Sequence, residues 1–255
     1  YSGDLATVAR NIGRARQAFL FQAEALKGAE GIVDLSYLPG HDSATGIGHR
    51  IGNGYYDIYP PCNRNLEANM YFYLSCVALA NMEQALIDAG IQTEQTSVAN
   101  YDPYGVFDAA NAGQGAIVYD YTPEQLLALA EIIKTNVRRD YDEGGFWNPE
   151  TGRFAWGIYD AGSYGEEGTP LDYGMTETNI RMVFHGLATE EQARSIYSWL
   201  DGTRTVEGDT STGSDIYFYQ FGPRSTTRDN RYDYTSIYND AAFSVKVQDG
   251  GAILY

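Results

Sequence analysis

Basic residues are scarce. Seventeen lysines and arginines stand against 34 aspartates and glutamates, a formal net charge of −17 over 255 residues. Such a surface repels phosphate, which argues against a nucleic-acid or anionic-membrane partner and disfavours a strongly anionic polysaccharide. Cysteine is scarce too. Cys62 and Cys76 are the only two, too few for a disulfide framework. Cys76 falls within an apolar helical stretch, so two free thiols are as well supported as one bridge, and cysteine usage leaves the compartment open. Histidine occurs three times. His41, Asp42 and His49 share one loop but lack a fourth ligand, and "VEGDTSTGSD" lacks the EF-hand spacing, so neither metal nor cofactor is expected. No apolar run approaches the roughly 20 residues of a membrane span. Low-complexity stretches and linkers are missing, which leaves one domain, 1–255. The opening "YSGDLATVARNIGRARQAF" has no leader and reads as the interior of a longer chain.

What is abundant is tyrosine. There are 22, and aromatic residues make up 14% of the chain. Rings with polar edges suit sugars, which have an apolar face and a rim of hydroxyls, although ordinary packing accounts for many tyrosines.

Helical patterns alternate in character. Residues 4–27 carry Leu5, Val8, Ile12, Ala15, Phe19, Ala23 and Leu26 at three- and four-residue steps, an amphipathic helix. Residues 64–89, "LEANMYFYLSCVALANMEQAL", are apolar nearly all round, as in a helix buried on most sides. "YTPEQLLALAEIIKTNV" announces the next, with Thr122 at the cap, Pro123 at the first position and Gln125 completing a capping box. "MTETNIRMVFHGL" reads as a short buried helix ending at Gly186. "TEEQARSIYSWLDG" follows, with an apolar face of Ala193, Ile196, Tyr197 and Leu200. A β-hairpin is expected in "FWNPETGRFAWGIY", turning at Pro149–Gly152, and a strand in "SDIYFYQFGPR".

The fold class is therefore all-α, with short β-hairpins in loops. Alternating amphipathic and all-round-apolar helices are what a two-layer helical barrel needs. The inner helices then begin at one rim, and the loops before them, "GHDSATGIGHRIGNGYYDIYPPCN" and "YDAGSYGEEGTPLDYG", form a cleft.

The stretches "GYYDIYP…EANMYFYLSCVALANMEQAL", "LDYGMTETNIRMVFHGLATEEQARSIYSWLDG", "DIYFYQFGPRSTT" and "VQDGGAILY" resemble six-hairpin glycosidases, the (α/α)6-barrel glycoside hydrolases that include trehalase-like, glucoamylase-like and rhamnosidase-like enzymes. The likeness runs from about Gly40 to the last residue and points to a bacterial branch. It implies an (α/α)6 toroid of twelve helices, of which five are countable. "QDGGAILY" resembles the lead-in to a further inner helix. About half a barrel is represented, the remainder is expected from the rest of the chain, and residues 1–255 alone are expected to self-associate through exposed inner-ring surface. A periplasmic or secreted setting fits a glycan substrate.

The resemblance implies carboxylate general acid/base catalysis on a neutral or weakly charged glycan, by inversion. Asp57, set among Tyr55, Tyr56, Tyr59, Pro60 and Pro61 ahead of the first inner helix, is the expected proton donor. Partial desolvation raises a carboxyl's pKa, as donation requires. The second carboxylate is expected beyond Tyr255, with Asp172 in its place otherwise; capping of the second inner helix is the competing role of Asp172. His41, Asp42, Asn53, Tyr55, Tyr56, Trp156, Tyr164, Glu177 and Asp249 are candidate sugar contacts. Trp156 is equally well read as packing, and Glu177 stands where an apolar residue is expected. Glu67, in a first helical turn, is read as complementing the helix dipole. Two other classes compete: a polysaccharide lyase using Tyr, His, Asn and Arg, and a catalytically inactive glycan-binding module.

Overall fold

The computed structural model describes residues 3–34, 64–99, 116–158, 168–216 and 226–228. Five α-helices dominate them: α1 (Leu5–Leu20), α2 (Leu66–Asp88), α3 (Pro123–Arg138), α4 (Thr176–Phe184) and α5 (Glu190–Leu200). The expected helix boundaries hold because their end signals are local. Asp4 and Asn65 cap α1 and α2 through their side chains, and Thr122 with Gln125 and Thr189 with Gln192 form capping boxes on α3 and α5. α4 closes in a Schellman turn. Gly186 takes φ 69°, and the Gly186 and Leu187 amides donate to Val183 and Met182. Beyond Leu20 the chain does not stop but widens into a π-helical turn, Phe21–Ala25.

α1 and α2 run antiparallel. Arg16 meets Glu83 near one end, Phe19 stacks on Phe72 at 5.6 Å, and Val33 is bonded to Asn69 near the other. Arg16 is not a surface residue of an amphipathic helix. Its guanidinium makes two buried bonds to Glu83, at 2.6 and 2.7 Å. α3 also packs on α2, with Leu126, Leu129, Ala130, Ile133 and Val137 buried. On α5 Ile196 and Leu200 are buried as expected, but Trp199 is buried in place of Tyr197, which is 53% exposed. Trp199 wins because its indole Nε1 finds a buried acceptor, Asp209, at 3.1 Å.

The burial of α2 is graded. Leu66, Glu67, Asn69, Met70 and Phe72 are buried, whereas Tyr71, Ala78, Asn81 and Ile87 reach solvent. Leu74, Val77, Met82 and Ala85 line a groove with Leu5 and Val8 of α1. Cys76 is a free buried thiol whose pKa burial pushes up to about 12; Cys62 lies outside the described residues.

Among the described residues, seven short strands accompany the helices: β1 (Arg64–Asn65), β2 (Ser97–Ala99), β3 (Ala116–Val118), β4 (Trp147–Asn148), β5 (Arg153–Phe154), β6 (Gly157–Ile158) and β7 (Pro170–Leu171). β4 and β5 pair antiparallel, as expected for the hairpin. The strands are not confined to hairpins, however: β1, β6 and β7 join in one antiparallel sheet. Of the expected strand in "SDIYFYQFGPR", the first three residues belong to a 3-10 turn, Gly213–Ile216, and the rest lies outside the described residues.

Candidate functional site

The three-stranded sheet brings the starts of α2 and α4 together. β6 lies between the residues that lead into the two helices, with Asn65 opposite Gly157 and Gly157 opposite Leu171. Trp156 sits at the junction: the Leu66 amide donates to its carbonyl and its own amide donates to Leu171, both at 2.9 Å.

Each helix is then fastened to a neighbouring strand or loop in the same way. The Asn69 side chain accepts from the Val33 amide at 2.7 Å and donates to the carbonyls of Val33 and Asn65. The Asn179 side chain accepts from the Phe154 amide at 2.8 Å and donates to the carbonyls of Phe154 and Met175. Both asparagines are fully buried. Two residues before each stands a buried glutamate, Glu67 or Glu177, so a Glu-x-Asn element repeats at the start of both helices. Thr178 Oγ1 donates to Glu67 at 3.2 Å and Arg181 Nη1 donates to Tyr71 Oη at 2.5 Å. Successive contacts advance along both helices in the same sense, so these turns run parallel. Tyr71 and Arg181 are 110 residues apart, the same separation as between the repeated elements.

The two glutamates have unlike surroundings. Glu177 is ion-paired with Arg181 at 2.5 Å. Glu67, 4% exposed, receives the Thr178 hydroxyl and lies against the Trp156 indole. Burial raises the pKa of Glu67 above the ordinary carboxylate value. The Trp156 indole and the Thr178 hydroxyl oppose the rise, Glu177 adds to it, and Arg181 offsets part of it.

A second polar cluster holds the approach to α4. Asp172 accepts from Arg153 Nε at 2.7 Å and the Gly174 amide at 3.0 Å on one oxygen, and from Thr151 at 2.6 Å and Asn148 at 3.2 Å on the other. The rest of the Arg153 guanidinium grips Asp209 at 2.6 and 2.9 Å and lies 4.6 Å from the Trp199 ring centroid. Thr227 joins through Asp209 and Arg153. Gly174 adopts φ 64°, and a Cβ there would collide with the Thr227 hydroxyl.

No family model, curated protein or solved structure matches the chain. Its chemistry is therefore read from these residues.

Of the expected site residues, Asp172, Trp156 and Glu177 are described. Asp172, read as a fallback catalytic carboxylate or as a cap of the second inner helix, accepts from four donors on its two oxygens and its side chain is 3% exposed, which is the arrangement of an anchor. Trp156, read as a stacking platform or equally as packing, is 1% exposed and its ring packs against Tyr173 at 5.9 Å. Glu177 is buried against Arg181. Asp57, His41, Asp42, Asn53, Tyr55, Tyr56, Tyr164 and Asp249 lie outside the described residues. Glu67, read as complementing the helix dipole, is in addition buried, and "EAN" and "ETN" recur at the two helix starts. Among the described residues, no group of three His, Cys, Asp or Glu could hold a metal, and no helix is long and apolar enough to cross a membrane.

Proposed function

We propose that the chain forms part of an (α/α)6 toroid and acts as a glycoside hydrolase, cleaving a neutral or weakly charged glycan by carboxylate acid/base catalysis with inversion. The observation that carries this reading is the placing of two buried glutamates, Glu67 and Glu177, in matching first turns of adjoining parallel helices, joined through Thr178 and Arg181. Glycosidic cleavage uses two carboxyl groups, one as acid and one as base. The toroid is supported by the antiparallel partner of α2 and by matched residues, Tyr71 and Arg181, meeting across α2 and α4. The net charge of −17 favours an uncharged glycan. The donor is Asp57 by resemblance.

One observation favours a second reading, a polysaccharide lyase: a tyrosine hydroxyl bonded to an arginine, Tyr71 to Arg181. The Arg181–Glu177 ion pair weighs against it, because that carboxylate competes with a uronate for the guanidinium.

A panel of neutral and uronate-containing oligosaccharides separates the readings. A hydrolase releases new reducing ends without ultraviolet-absorbing product, and proton NMR of the first-formed anomer shows inversion. Ultraviolet-absorbing unsaturated ends would establish the lyase, and binding without cleavage the inactive module.

A further inference from the structure

We propose that a cavity beside the three-stranded sheet is a subsite for one neutral sugar unit of the glycan; the inference rests on the glycoside-hydrolase reading. The cavity has a volume of about 580 Å³, within the range of small-ligand sites. Its lining comes from three places. β1 gives Arg64, the 3-10 turn that follows α3 gives Tyr141 and Asp142 and ends on Gly144, and the entry to β7 gives Gly168 and Thr169. β1 leads into α2 and β7 leads toward α4, so the cavity lies where these two helices start. Arg64 and Pro170 both stand opposite Ile158 of β6, which puts them on one face of the sheet about 10 Å apart.

The turn is fixed by its backbone. The Glu143 and Gly145 amides donate to the Asp140 carbonyl and the Gly144 amide to that of Tyr141, while a Cβ on Gly145 would strike the Arg139 carbonyl. A Cβ on Gly144 or Gly168 would meet open space. Tyr141 is half-buried against the hydrophobic core, whereas Asp142 and Thr169 are exposed. No hydrogen bond or ion pair among the described residues uses the side chain of Tyr141, Asp142 or Thr169. Polar groups that do nothing for the fold and converge on one cavity suit the hydroxyls of a sugar. The Asp142 carboxylate accepts from two hydroxyls, the Thr169 and Tyr141 hydroxyls donate or accept, and the Arg64 guanidinium donates. The Tyr141 ring adds an apolar surface for the C–H face. Arg64 and Asp142 bring opposite charges to the cavity, which matches a neutral unit better than a uronate.

Binding is measured on the whole chain by calorimetry, with pentasaccharides of α-1,4-glucose, β-1,4-glucose, β-1,4-xylose and β-1,4-mannose, and with pentagalacturonate as the charged counterpart.

Asp142→Ala is expected to weaken the neutral sugar that the wild type binds by about 10–100-fold, and Thr169→Val by about 2–10-fold. Both side chains are exposed, so both variants are expected to melt with the wild type. Where the sugar is also cleaved, the loss falls on KM rather than kcat. The Tyr141 ring resonances, assigned with Tyr141→Phe, are expected to shift as the sugar is added. Unchanged affinity in both variants, a loss confined to kcat, or Tyr141 resonances that stay still would each overturn the inference and leave the hydrolase reading standing. Pentagalacturonate bound more tightly than every neutral sugar, or no sugar bound at all, would also overturn it. A neutral sugar bound through Asp142 by a chain that cleaves no glycoside would overturn the hydrolase reading and leave the subsite in a binding module.

Discussion

A buried carboxyl without a cation loses stability on ionising, and Glu67 is such a group. Its pKa is raised above the unfolded-state value near 4.5. The stability it contributes is therefore complete below about pH 4.5 and lost as pH rises through the folded-state pKa. Glu67→Gln carries no charge to bury. The variant is expected to match the wild type at about pH 4 and to melt higher at about pH 8; parallel melting curves across that range would contradict the environment described for Glu67. Arg153 is the opposite case, a fully buried cation held between Asp172 and Asp209. Arg153→Met leaves two carboxylates buried together. The expected loss is about 3–5 kcal/mol by guanidinium denaturation, with Asp172→Asn costing less because Asp209 still balances Arg153. A loss under about 1 kcal/mol for Arg153→Met would show the network to be dispensable.

At the scale of elements, α2 and α4 depend on one buried asparagine each. Truncating Asn69 orphans the amide and carbonyl of Val33, and truncating Asn179 does the same to Phe154. Each Asn→Ala variant is expected to lose about 1–3 kcal/mol per orphaned buried group. The same substitutions are expected to speed hydrogen exchange at the Val33 and Phe154 amides respectively, each without changing the other. Exchange that accelerates at both amides in either variant would mean that the two helix starts open as one unit rather than through separate clasps. The clasps also explain how sheet and helix cooperate. β6 sets the spacing between the starts of α2 and α4, and the asparagines fix the first turns that present Glu67 and Glu177.

At the scale of the whole molecule the net charge of −17 dominates. Like charges at this density repel, and the repulsion is screened as the Debye length falls from about 30 Å at 0.01 M salt to about 8 Å at 0.15 M. The buried pairs Arg16–Glu83 and Arg153–Asp172 are little affected, because solvent ions do not reach them. The melting temperature is therefore expected to rise with sodium chloride over that range, as calorimetry would record. A fall would place the balance in surface ion pairs such as Lys134–Glu131. The groove between α1 and α2, lined by Leu5, Val8, Leu74, Val77, Met82 and Ala85, lies beside the α2 face that meets α4.

The helices were legible because their signals lie within a few residues of one another. Thr122 with Gln125 and Thr189 with Gln192 close their bonds inside one turn, and Gly186 alone supplies the positive φ that ends α4. The β4–β5 hairpin was legible for the same reason. Local pattern did not decide what each buried polar group meets. Asp172 reads equally as a carboxylate of the site or a helix cap, and Trp156 equally as a platform or packing; Arg153, 19 residues from Asp172, and the starts of α2 and α4 around Trp156 are what local pattern lacks. Glu67 and Glu177 occur in near-identical local words, and their difference comes from Arg181 and Thr178, over 100 residues beyond Glu67. Charge state depends on burial and on the nearest opposite charge. Both are properties of the packed chain, which is why only the tertiary structure singled out Glu67.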